Sequence, residues 1–351
     1  MSVDDPEVID VRPEERLDAS RLEPFLRERL GVTGEFTLRQ FGGGHANLTY
    51  LVRFGDDEFV LRRPPLGPVP ERAHDMRREH AVLSKLYTAF PLAPRSYLLC
   101  TYHEIIGADF VIEERKHGVA IRRDLPARFH GDAEFAQRLG HAIVDTLADL
   151  HRVDVPGTGL TELGHPDGYV TRQLDGWAKR WNAARTNETI DASALLEWLR
   201  GRLPPSPVAA LVHNDYKLDN MLLDPHDPAK IVALLDWDMC TYGDPLMDVG
   251  YVLALWPEAG DPEAFRAWGM PSWREGFPTR REVVARYAQA TGFDVSHVPW
   301  YHIFNIFRFA VILQQIYKRY EAGQTHDERF APFGTQANGL VTIATMLALS
   351  S

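Results

Sequence analysis

The chain has 351 residues, of which 45% are hydrophobic and 25% charged, and its formal net charge at pH 7 is −11. This composition is typical of a globular protein of about two domains and excludes a disordered chain. The acidic balance argues against a protein that binds nucleic-acid phosphates, because such a protein usually carries a basic stripe.

The two cysteines, Cys100 and Cys240, lie far apart and in no metal-binding spacing. This argues against a disulfide framework and favours a reducing compartment. The acidic start, MSVDDPEVID, lacks the apolar stretch of a secretory signal, and the longest apolar runs are too short to span a bilayer. We therefore expect a cytoplasmic protein without a membrane or nucleic-acid partner.

The N-terminal third predicts a small sheet. Residues 1–19 are polar and predict an extended arm, and SRLEPFLRERL predicts a helix with a Ser20–Glu23 capping box and a stop at Gly31. Three segments rich in β-branched and aromatic residues follow: EFTLRQF, NLTYLVRF and EFVLRR. A glycine triplet and GDD separate them, which predicts an antiparallel meander.

A proline-rich loop, PPLGPVP, precedes a predicted helix, AHDMRREHAVLSKLYTAF, and two further strands, SYLLCTYHEI and ADFVIEER. After about residue 115 helical patterns dominate. AEFAQRLGHAIVDTLADLHRV has one apolar face, and TRREVVARYAQATG has a Thr279–Glu282 capping box and a stop at Gly292. The predicted class is α+β, with a β-rich N-terminal lobe (residues 1–115) containing one main helix and a larger helical C-terminal lobe (residues 116–351).

The stretch LVHNDYKLDNMLLD, residues 211–224, places many polar groups between apolar ends. Two strand-like runs, NMLLD and IVALLDW, are joined by the turn-rich segment PHDPAK. If these runs pair as a hairpin, Asp236 returns beside Asp215 and Asn220. Carboxylate and amide oxygens of this kind suit Mg²⁺ that bridges phosphate oxygens.

Phosphoryl transfer needs a group that orients the attacking hydroxyl, a metal, and positive charge on the phosphates. Asp215 could accept the substrate proton, Lys217 could neutralise the transferred phosphoryl group, and Asn220 and Asp236 could hold metal. Asp238 lies two residues after Asp236, on the same side of an extended strand, and could either touch the metal or contact the loop.

HNDYKLDN followed by LLDWD resembles the catalytic loop and the metal-binding Asp of the protein-kinase-like superfamily. The branch that it resembles most is the aminoglycoside/choline kinase-like phosphotransferase family, and GDPLMDVGYVLALW is similar to the segment that follows that Asp in the family. FVLRRPPLG…REHAVLSKL and HNDYKLDN are most similar to the phosphotransferase domains fused to acyl-CoA dehydrogenases. The resemblance extends from about residue 35 to about residue 256, and it implies a bilobal protein-kinase-like fold that uses ATP and Mg²⁺.

The resemblance also implies residue roles. FGGGHANLTYLV lies where the family has its phosphate-covering loop, although a glycine triplet alone is typical of an ordinary turn. In the family a helical Glu, here Glu79, pairs with a Lys of the third strand, where this chain has Arg62 and Arg63. The implied nucleotide-binding residues are Gly42, Gly43, Gly44, Asn47, Arg62, Glu79 and, at the adenine hinge, Glu113, Glu114 and Arg115.

Several of these residues also have structural interpretations. His213 belongs to the catalytic motif, but in the family it supports the loop by hydrogen bonding. Asp248 lies in an otherwise apolar helical pattern, where a buried carboxylate needs partners, and we expect a structural role. Asp215 could alternatively be an ordinary turn residue.

Residues 251–351 contain nine acidic and nine basic residues, which argues against an acceptor site for polycationic aminoglycosides. The same region is rich in large aromatic residues, which could line an apolar pocket or simply pack helices. They are Trp256, Trp268, Trp273, Trp300, Phe304, Phe307 and Phe309.

The sequence thus predicts an ATP-dependent phosphotransferase that transfers the γ-phosphoryl group to a hydroxyl of a small molecule. The alternatives are a catalytically weak nucleotide-binding scaffold, because the third strand lacks Lys, and an aminoglycoside-type antibiotic kinase. A protein kinase is disfavoured by the absence of a readable activation segment after LLDWDMCTYGDPLMD. The acceptor, the choice of ATP or GTP and the oligomeric state stay open; acceptors considered are hydroxyacyl-CoA-like molecules, amino alcohols, sugars and aminoglycosides.

Overall fold

The computed structural model describes residues 8–42, 47–67, 75–122, 124–206, 208–266 and 268–350. These residues divide into two compact units. The first comprises the described residues up to Gly118 together with Pro156–Leu160 and Val232–Cys240, and the second comprises Val119–Val155, Thr161–Ile231 and the described residues from Thr241 onward. Among the described helices, none combines the length and the apolar character that crossing a membrane requires.

The first unit contains a six-stranded sheet with strand order β1-β2-β3-β4-β6-β5 and antiparallel neighbours. The strands are β1 (Val8–Ile9), β2 (Phe36–Phe41), β3 (Leu48–Phe54), β4 (Asp57–Arg63), β5 (Ser96–Cys100) and β6 (Phe110–Glu114). The predicted meander of β2, β3 and β4 and the two additional strands are confirmed. Gly55, at φ 60°, makes the tight turn between β3 and β4, a conformation that glycine adopts without steric cost.

One face of this sheet packs against the first helix. The helices of the unit are α1 (Ala19–Leu30), α2 (Met76–Leu86) and α3 (His103–Ile106). Alternate residues of β3 point to the same face because side chains alternate along a strand, and they form a core with Leu22 and Leu26 of α1. Those β3 residues are Leu48, Tyr50, Val52 and Phe54.

Two local predictions in this unit are wrong. The helix cap is Asp18, whose side chain accepts the Ser20 N–H, so the expected Ser20–Glu23 capping box does not form; Gly31 ends the helix as predicted. The last three residues of SYLLCTYHEI, predicted as strand, lie in the short helix α3, which ends at Gly107 with φ 80°.

Beyond residue 118 the chain is mostly helical, as predicted. The strands are β7 (Val119–Ala120), β8 (Ala210–Val212), β9 (Met221–Leu223), β10 (Ile231–Leu234) and β11 (Thr241–Gly243). The helices are α4 (Ala133–His151), α5 (Val155–Thr158), α6 (Tyr169–Ala184), α7 (Ser193–Gly201), α8 (Leu246–Ala254), α9 (Glu263–Arg266), α10 (Arg280–Thr291), α11 (Val298–Glu321) and α12 (Phe333–Ser350). In the second unit β7 pairs with β9, and β8 pairs with β11.

Helix signals read from the sequence are confirmed here. The apolar face of α4 is buried, and the Thr279–Glu282 capping box of α10 is formed with Gly292 at its C-terminal end. All nine residues of α8 are buried, which fits the segment LMDVGYVLA, apolar apart from Asp248 and the Tyr251 hydroxyl. Helix α8 passes so close to α11 that a Cβ on Gly250 would lie 2.5 Å from the carbonyl carbon and oxygen of Tyr301.

Gly250→Ala is therefore expected to lower the free energy of unfolding by about 1–3 kcal/mol or more, because backbone atoms of α11 cannot yield to the added methyl group. Gly339→Ala is the matched control. A Cβ at Gly339 of α12 meets no heavy atom within 4 Å, and the better helix propensity of Ala should stabilise the protein by about 0.5–1 kcal/mol. Denaturant unfolding measures both variants, and equal stability of the two would contradict the close approach.

Candidate active site

A buried carboxylate fixes the loop that carries HNDYKLDN. Asp248, in the first turn of α8, is fully buried. Its Oδ2 accepts the backbone N–H of His213 at 2.6 Å, and its Oδ1 accepts that of Asn214 at 2.8 Å. The structural role predicted for Asp248 is thereby confirmed, since these bonds satisfy a carboxylate that would be costly to bury alone.

Helices α4 and α10 extend this network. The ring of His151 lies with Nε2 3.3 Å from Asp248 Oδ2 and Nδ1 2.7 Å from the Tyr287 hydroxyl. Burial raises the pKa of Tyr287, and the nearby Asp248 raises it further, so the hydroxyl stays protonated. The loop is thus anchored to a hydrogen-bonded set of side chains from three helices.

The loop bends sharply just before Asp215. Asn214 has φ 67°, the left-handed conformation that Asn tolerates better than most residues. Arg308, from α11, donates from Nη2 to the carbonyl oxygen of Asn214 at 2.7 Å. His213 is fully buried, and its Nδ1 accepts the Asp215 N–H at 3.3 Å. Of the two interpretations of His213, the structure favours support of the loop, because a side chain with no exposed surface cannot touch a ligand.

Three predicted site residues of the second unit meet at the Asp215 carboxylate. Lys217 Nζ lies 3.0 Å from Oδ1 and 2.8 Å from Oδ2. Asn220 donates from Nδ2 to Oδ2 at 2.9 Å and to the Asp215 carbonyl oxygen at 2.8 Å. A fourth group, the hydroxyl of Tyr251, donates to Oδ1 at 2.8 Å. Both oxygens of this carboxylate are therefore held in fixed directions.

Tyr251 was missed at the sequence level because it lies inside the apolar run VGYVLALW. Burial, followed by the charge of Asp215, raises its pKa well above the usual value, so the hydroxyl keeps its proton at neutral pH and donates a hydrogen bond to Asp215. A usable signal was present: Tyr251 follows Asp248 by three residues, and residues at this spacing share a face of a helix. One face of α8 thus holds both the backbone of the loop and its central carboxylate.

Asp236 belongs to the first unit. The segment Val232–Cys240 is held there by a hydrogen bond from the Leu234 N–H to the Leu92 carbonyl at 2.9 Å and by an edge contact of the Trp237 ring with Phe90. Arg62, on β4, donates from Nη2 to Asp236 Oδ1 at 2.8 Å and lies 3.3 Å from Glu79 Oε1. The predicted pairing of Arg62 with Glu79 is confirmed, and the contact of Arg62 with Asp236 was not foreseen.

Three carboxylates surround this single guanidinium. Burial opposes the charge on Arg62, but Glu79, Asp236 and Glu113 outweigh it, and the pKa of Arg62 is raised. Burial also raises the pKa of Glu79, and raises that of Glu113 to about 7. Glu113 is only 3% exposed, and its Oε1 has no hydrogen-bond partner among the described residues. One guanidinium does not balance two buried carboxylates and the partly exposed Asp236, so a proton remains on the cluster at mildly acidic pH.

The strand predicted to run through Asp236 ends earlier. Strand β10 stops at Leu234, and Asp236 has φ 67°. The expectation that Asp238 shares a side with Asp236 by strand alternation is therefore wrong, because the chain is not extended there. Asp238 lies in the first unit with Asp236, and its role stays a prediction.

The other predicted nucleotide-binding residues that the structure describes lie at the ends of strands in the first unit. Gly42 follows β2, whereas Gly43 and Gly44 lie outside the described residues. Asn47 is 6% exposed, and neither polar atom of its side chain has a hydrogen-bond partner in the part of the chain that the structure describes. Glu114 ends β6, and the guanidinium of the next residue, Arg115, lies 4.7 Å from the Phe41 ring.

The donor set fits a hard cation without forming a preassembled cage. In the described ranges no three His, Cys, Asp or Glu side chains are grouped as metal ligands. Asn220 makes its two hydrogen bonds through Nδ2. Its amide oxygen accepts none from the described residues, and such an oxygen is a donor type that Mg²⁺ prefers.

Comparison with known proteins identifies relatives over most of the chain. Residues 37–289 match the sequence model of the Phosphotransferase enzyme family, APH. Acyl-CoA dehydrogenase family member 10 of Mus musculus is 32% identical over 340 residues, which cover 95% of this chain and 31% of that protein. Acyl-CoA dehydrogenase family member 11 of Rattus norvegicus is 31% identical over 333 residues, covering 92% and 42%. The chain thus spans less than half the length of these relatives.

Solved structures share the fold. A protein of Ralstonia eutropha JMP134 assigned to the aminoglycoside phosphotransferases superposes with a TM-score of 0.82 at 27% identity, covering 95% of this chain and 99% of that one. Aminoglycoside phosphotransferase APH(4)-Ia, in a ternary complex with AMP-PNP and hygromycin B, gives 0.61 at 16% identity, covering 95% and 100%. Choline kinase of Cryptosporidium parvum gives 0.60 at 12%, covering 95% and 96%. The predicted protein-kinase-like fold and family resemblance are confirmed.

We expect Glu113→Gln to flatten the pH dependence of stability. Between the ordinary pKa of Glu, about 4.5, and the raised value of about 7, the folded protein keeps a proton that the unfolded chain has lost, so stability falls as pH rises through this window. The free energy of unfolding falls by about 3 kcal/mol across this window, and the fall is complete above the pKa of the folded state. In Glu113→Gln this fall should vanish.

Urea unfolding between pH 5 and pH 8 measures this loss. Glu114→Gln is the control, because the neighbouring side chain points to the other face of β6 and leaves the buried cluster intact. An unchanged pH slope in Glu113→Gln would contradict the assignment of the proton to Glu113.

Proposed function

Because the chain belongs to the Phosphotransferase enzyme family, we propose that it transfers the γ-phosphoryl group of ATP to a hydroxyl group of a small molecule. The observation that carries this proposal is the Asp215 carboxylate, which is fixed by Lys217, Asn220 and Tyr251 on a loop anchored to Asp248. Phosphoryl transfer depends mainly on positioning and electrostatic stabilisation, and this arrangement supplies both.

A bound substrate would affect the four hydrogen bonds of the Asp215 carboxylate differently. Lys217 carries a positive charge that the transferred phosphoryl group would attract, and Asn220 carries an amide oxygen that a metal would attract. Movement of Lys217 toward the phosphoryl group would free an acceptor position on Oδ2 of Asp215 for the proton of the acceptor hydroxyl, whereas metal coordination by the Asn220 amide oxygen would leave its Nδ2 hydrogen bond in place. Tyr251 has no such competing partner, so it continues to hold Oδ1 and keeps the carboxylate in place.

Asn220 and Asp236 are the proposed ligands of Mg²⁺, with Asp238 as a further candidate. When bound, Mg²⁺ would neutralise charge on the phosphate oxygens. Asn220 belongs to the second unit and Asp236 to the first, so their joint action is part of the proposal. Arg62 holds Asp236 through its carboxylate, and this contact competes with metal coordination by the same oxygen.

The proposed nucleotide site uses the first unit. Arg62 takes the position that the resemblance assigns to a Lys, and its guanidinium can contact phosphate in a bidentate manner. The side-chain amide of Asn47, three residues after the glycine triplet in sequence, has no hydrogen-bond partner among the described residues, which supports a role of this segment in phosphate binding. Gly42, Gly43 and Gly44 would cover the phosphates, and the backbone of Glu113, Glu114 and Arg115 would hold adenine.

One observation favours a second candidate, a nucleotide-binding scaffold with little activity. Arg62 is ion-paired with both Glu79 and Asp236, and Arg is bulkier than the Lys that the resemblance leads us to expect. Thermal-shift measurements with Mg·ATP, followed by nucleoside-diphosphate release with a panel of hydroxyl compounds, separate the two. Binding without release from any acceptor would favour the scaffold.

Asp215→Ala is expected to lower turnover by about 10²–10⁴-fold, since it removes the group that orients and deprotonates the acceptor. Nucleotide binding, measured as the thermal shift produced by Mg·ATP, should be retained. Asp219→Ala is the control. Asp219 lies in the same HNDYKLDN motif but has no role in the proposal, so this variant should keep its turnover. Undiminished ADP release by Asp215→Ala would refute the proposed role.

Tyr251→Phe should lower kcat about tenfold, because one hydrogen bond to a charged carboxylate is lost while the ring is kept. The KM for ATP should not change. Tyr301→Phe is matched to it, since the buried Tyr301 hydroxyl donates to Asp244 Oδ2 at 2.6 Å and not to Asp215. If both variants lose kcat equally, the effect of Tyr251 is general stability and not orientation of Asp215.

A further inference from the structure

Two arginines of the second unit face the same indole ring. The guanidinium carbon of Arg180, on α6, lies 4.6 Å from the ring centre of Trp177, and that of Arg308, on α11, lies 5.1 Å from it. Arg308 also lies 5.0 Å from the ring of Tyr251, whose hydroxyl bonds Asp215. Contacts therefore lead without interruption from the proposed acceptor base to two cations.

Neither guanidinium has a counter-ion in the part of the chain that the structure describes. Arg308 is only 3% exposed, and its hydrogen bonds go to the Asn214 carbonyl at 2.7 Å and to Asn305 Oδ1 at 3.5 Å, both neutral. Its Nε and the indole Nε1 of Trp177 are buried without a hydrogen-bond partner among the described residues. Burial of an unpaired charge is costly, which points to a partner that completes the cluster.

The nearest carboxylate in this chain of contacts is already neutralised. Asp215 is ion-paired with Lys217 through both oxygens. Burial lowers the pKa of Arg180, and the charge of Arg308 lowers it further, which reflects repulsion between the two cations. A cation–π contact stabilises each guanidinium against the ring, but it does not remove this repulsion.

We propose that Arg180 and Arg308, which both contact the ring of Trp177, form a subsite for an anionic group of the acceptor. Arg180 is exposed and contacts the anion, whereas Arg308 adds a fixed positive potential next to the loop that it anchors. The acceptor class is then an alcohol that also bears a carboxylate or a phosphate. This inference rests on the proposed function and adds the charge of the substrate to it.

The subsite also acts as a filter. Two guanidinium groups without a counter-ion among the described residues repel a polycationic acceptor. Aminoglycosides are therefore disfavoured by the charge of the site as well as by the balance of acidic and basic residues in residues 251–351. A neutral alcohol of the same shape gains nothing from the arginines, which gives the experiment its comparison.

The test uses two pairs of probes with the full chain: 3-hydroxybutyrate with its neutral amide, and glycerol 3-phosphate with glycerol. Binding is measured by calorimetry at millimolar concentration without nucleotide, and ADP release is measured with Mg·ATP. The variants are Arg180→Met and, as the matched control, Lys179→Met, which removes one positive charge from the next residue of the same helix.

We expect at least one anionic probe to bind on the order of tenfold or more tightly than its neutral partner, as for a hydrogen bond between charged groups. Arg180→Met should abolish this preference and leave the neutral probe unchanged, whereas Lys179→Met should keep it. A preference for the carboxylate pair or the phosphate pair identifies the anion.

Equal binding of the charged and neutral probes, binding of neither anion, or equal losses in both variants would overturn the subsite. Failure of the proposed function gives a different result. In that case no acceptor promotes ADP release, although the anion preference and its loss in Arg180→Met persist.

Discussion

The structure of the second unit depends on the buried carboxylate of Asp248. It accepts two consecutive backbone N–H groups at the start of the HNDYKLDN loop, and those amides would otherwise be buried without partners. The bend at Asn214, the hydrogen bond from Arg308 and the direction of Asp215 all follow from this attachment, because a loop held by its backbone has little freedom left in its side chains. The loop that carries the site is thus anchored to a buried helix.

The main electrostatic feature of the first unit is an arginine among several carboxylates. Arg62 lies among three carboxylates in a buried setting, and it is the group that attaches Asp236 to the sheet. A Lys could offer only a point charge there, whereas the planar guanidinium reaches Glu79 and Asp236 together. The replacement of Lys by Arg is therefore consistent with a structural demand on Asp236, and it links the acidic residue to the strand that would contact phosphate.

The two arginines that contact Trp177, like Arg62, are positive charges held in place at a proposed binding site. Their positions on α6 and α11 are fixed by helix packing, while their charges lack partners among the described residues. The overall acidity of the chain gave no hint of this local excess of positive charge, because net charge says nothing about where individual charges gather. Local imbalance in a folded protein is more informative about a ligand than composition is.

The sequence by itself determined the elements and the chemistry of the motif. The alternation in EFTLRQF, NLTYLVRF and EFVLRR, the Thr279–Glu282 cap, and the spacing of Asp215, Lys217 and Asn220 are local features, and local features can be read from neighbouring residues. Only the tertiary structure decided that Asp18 displaces Ser20 as a helix cap, that the strand before Asp236 ends at Leu234, and that Tyr251 and Arg308 reach the loop. These outcomes depend on competition between hydrogen-bond partners and on contacts between residues tens of positions apart, which no periodicity in the chain encodes.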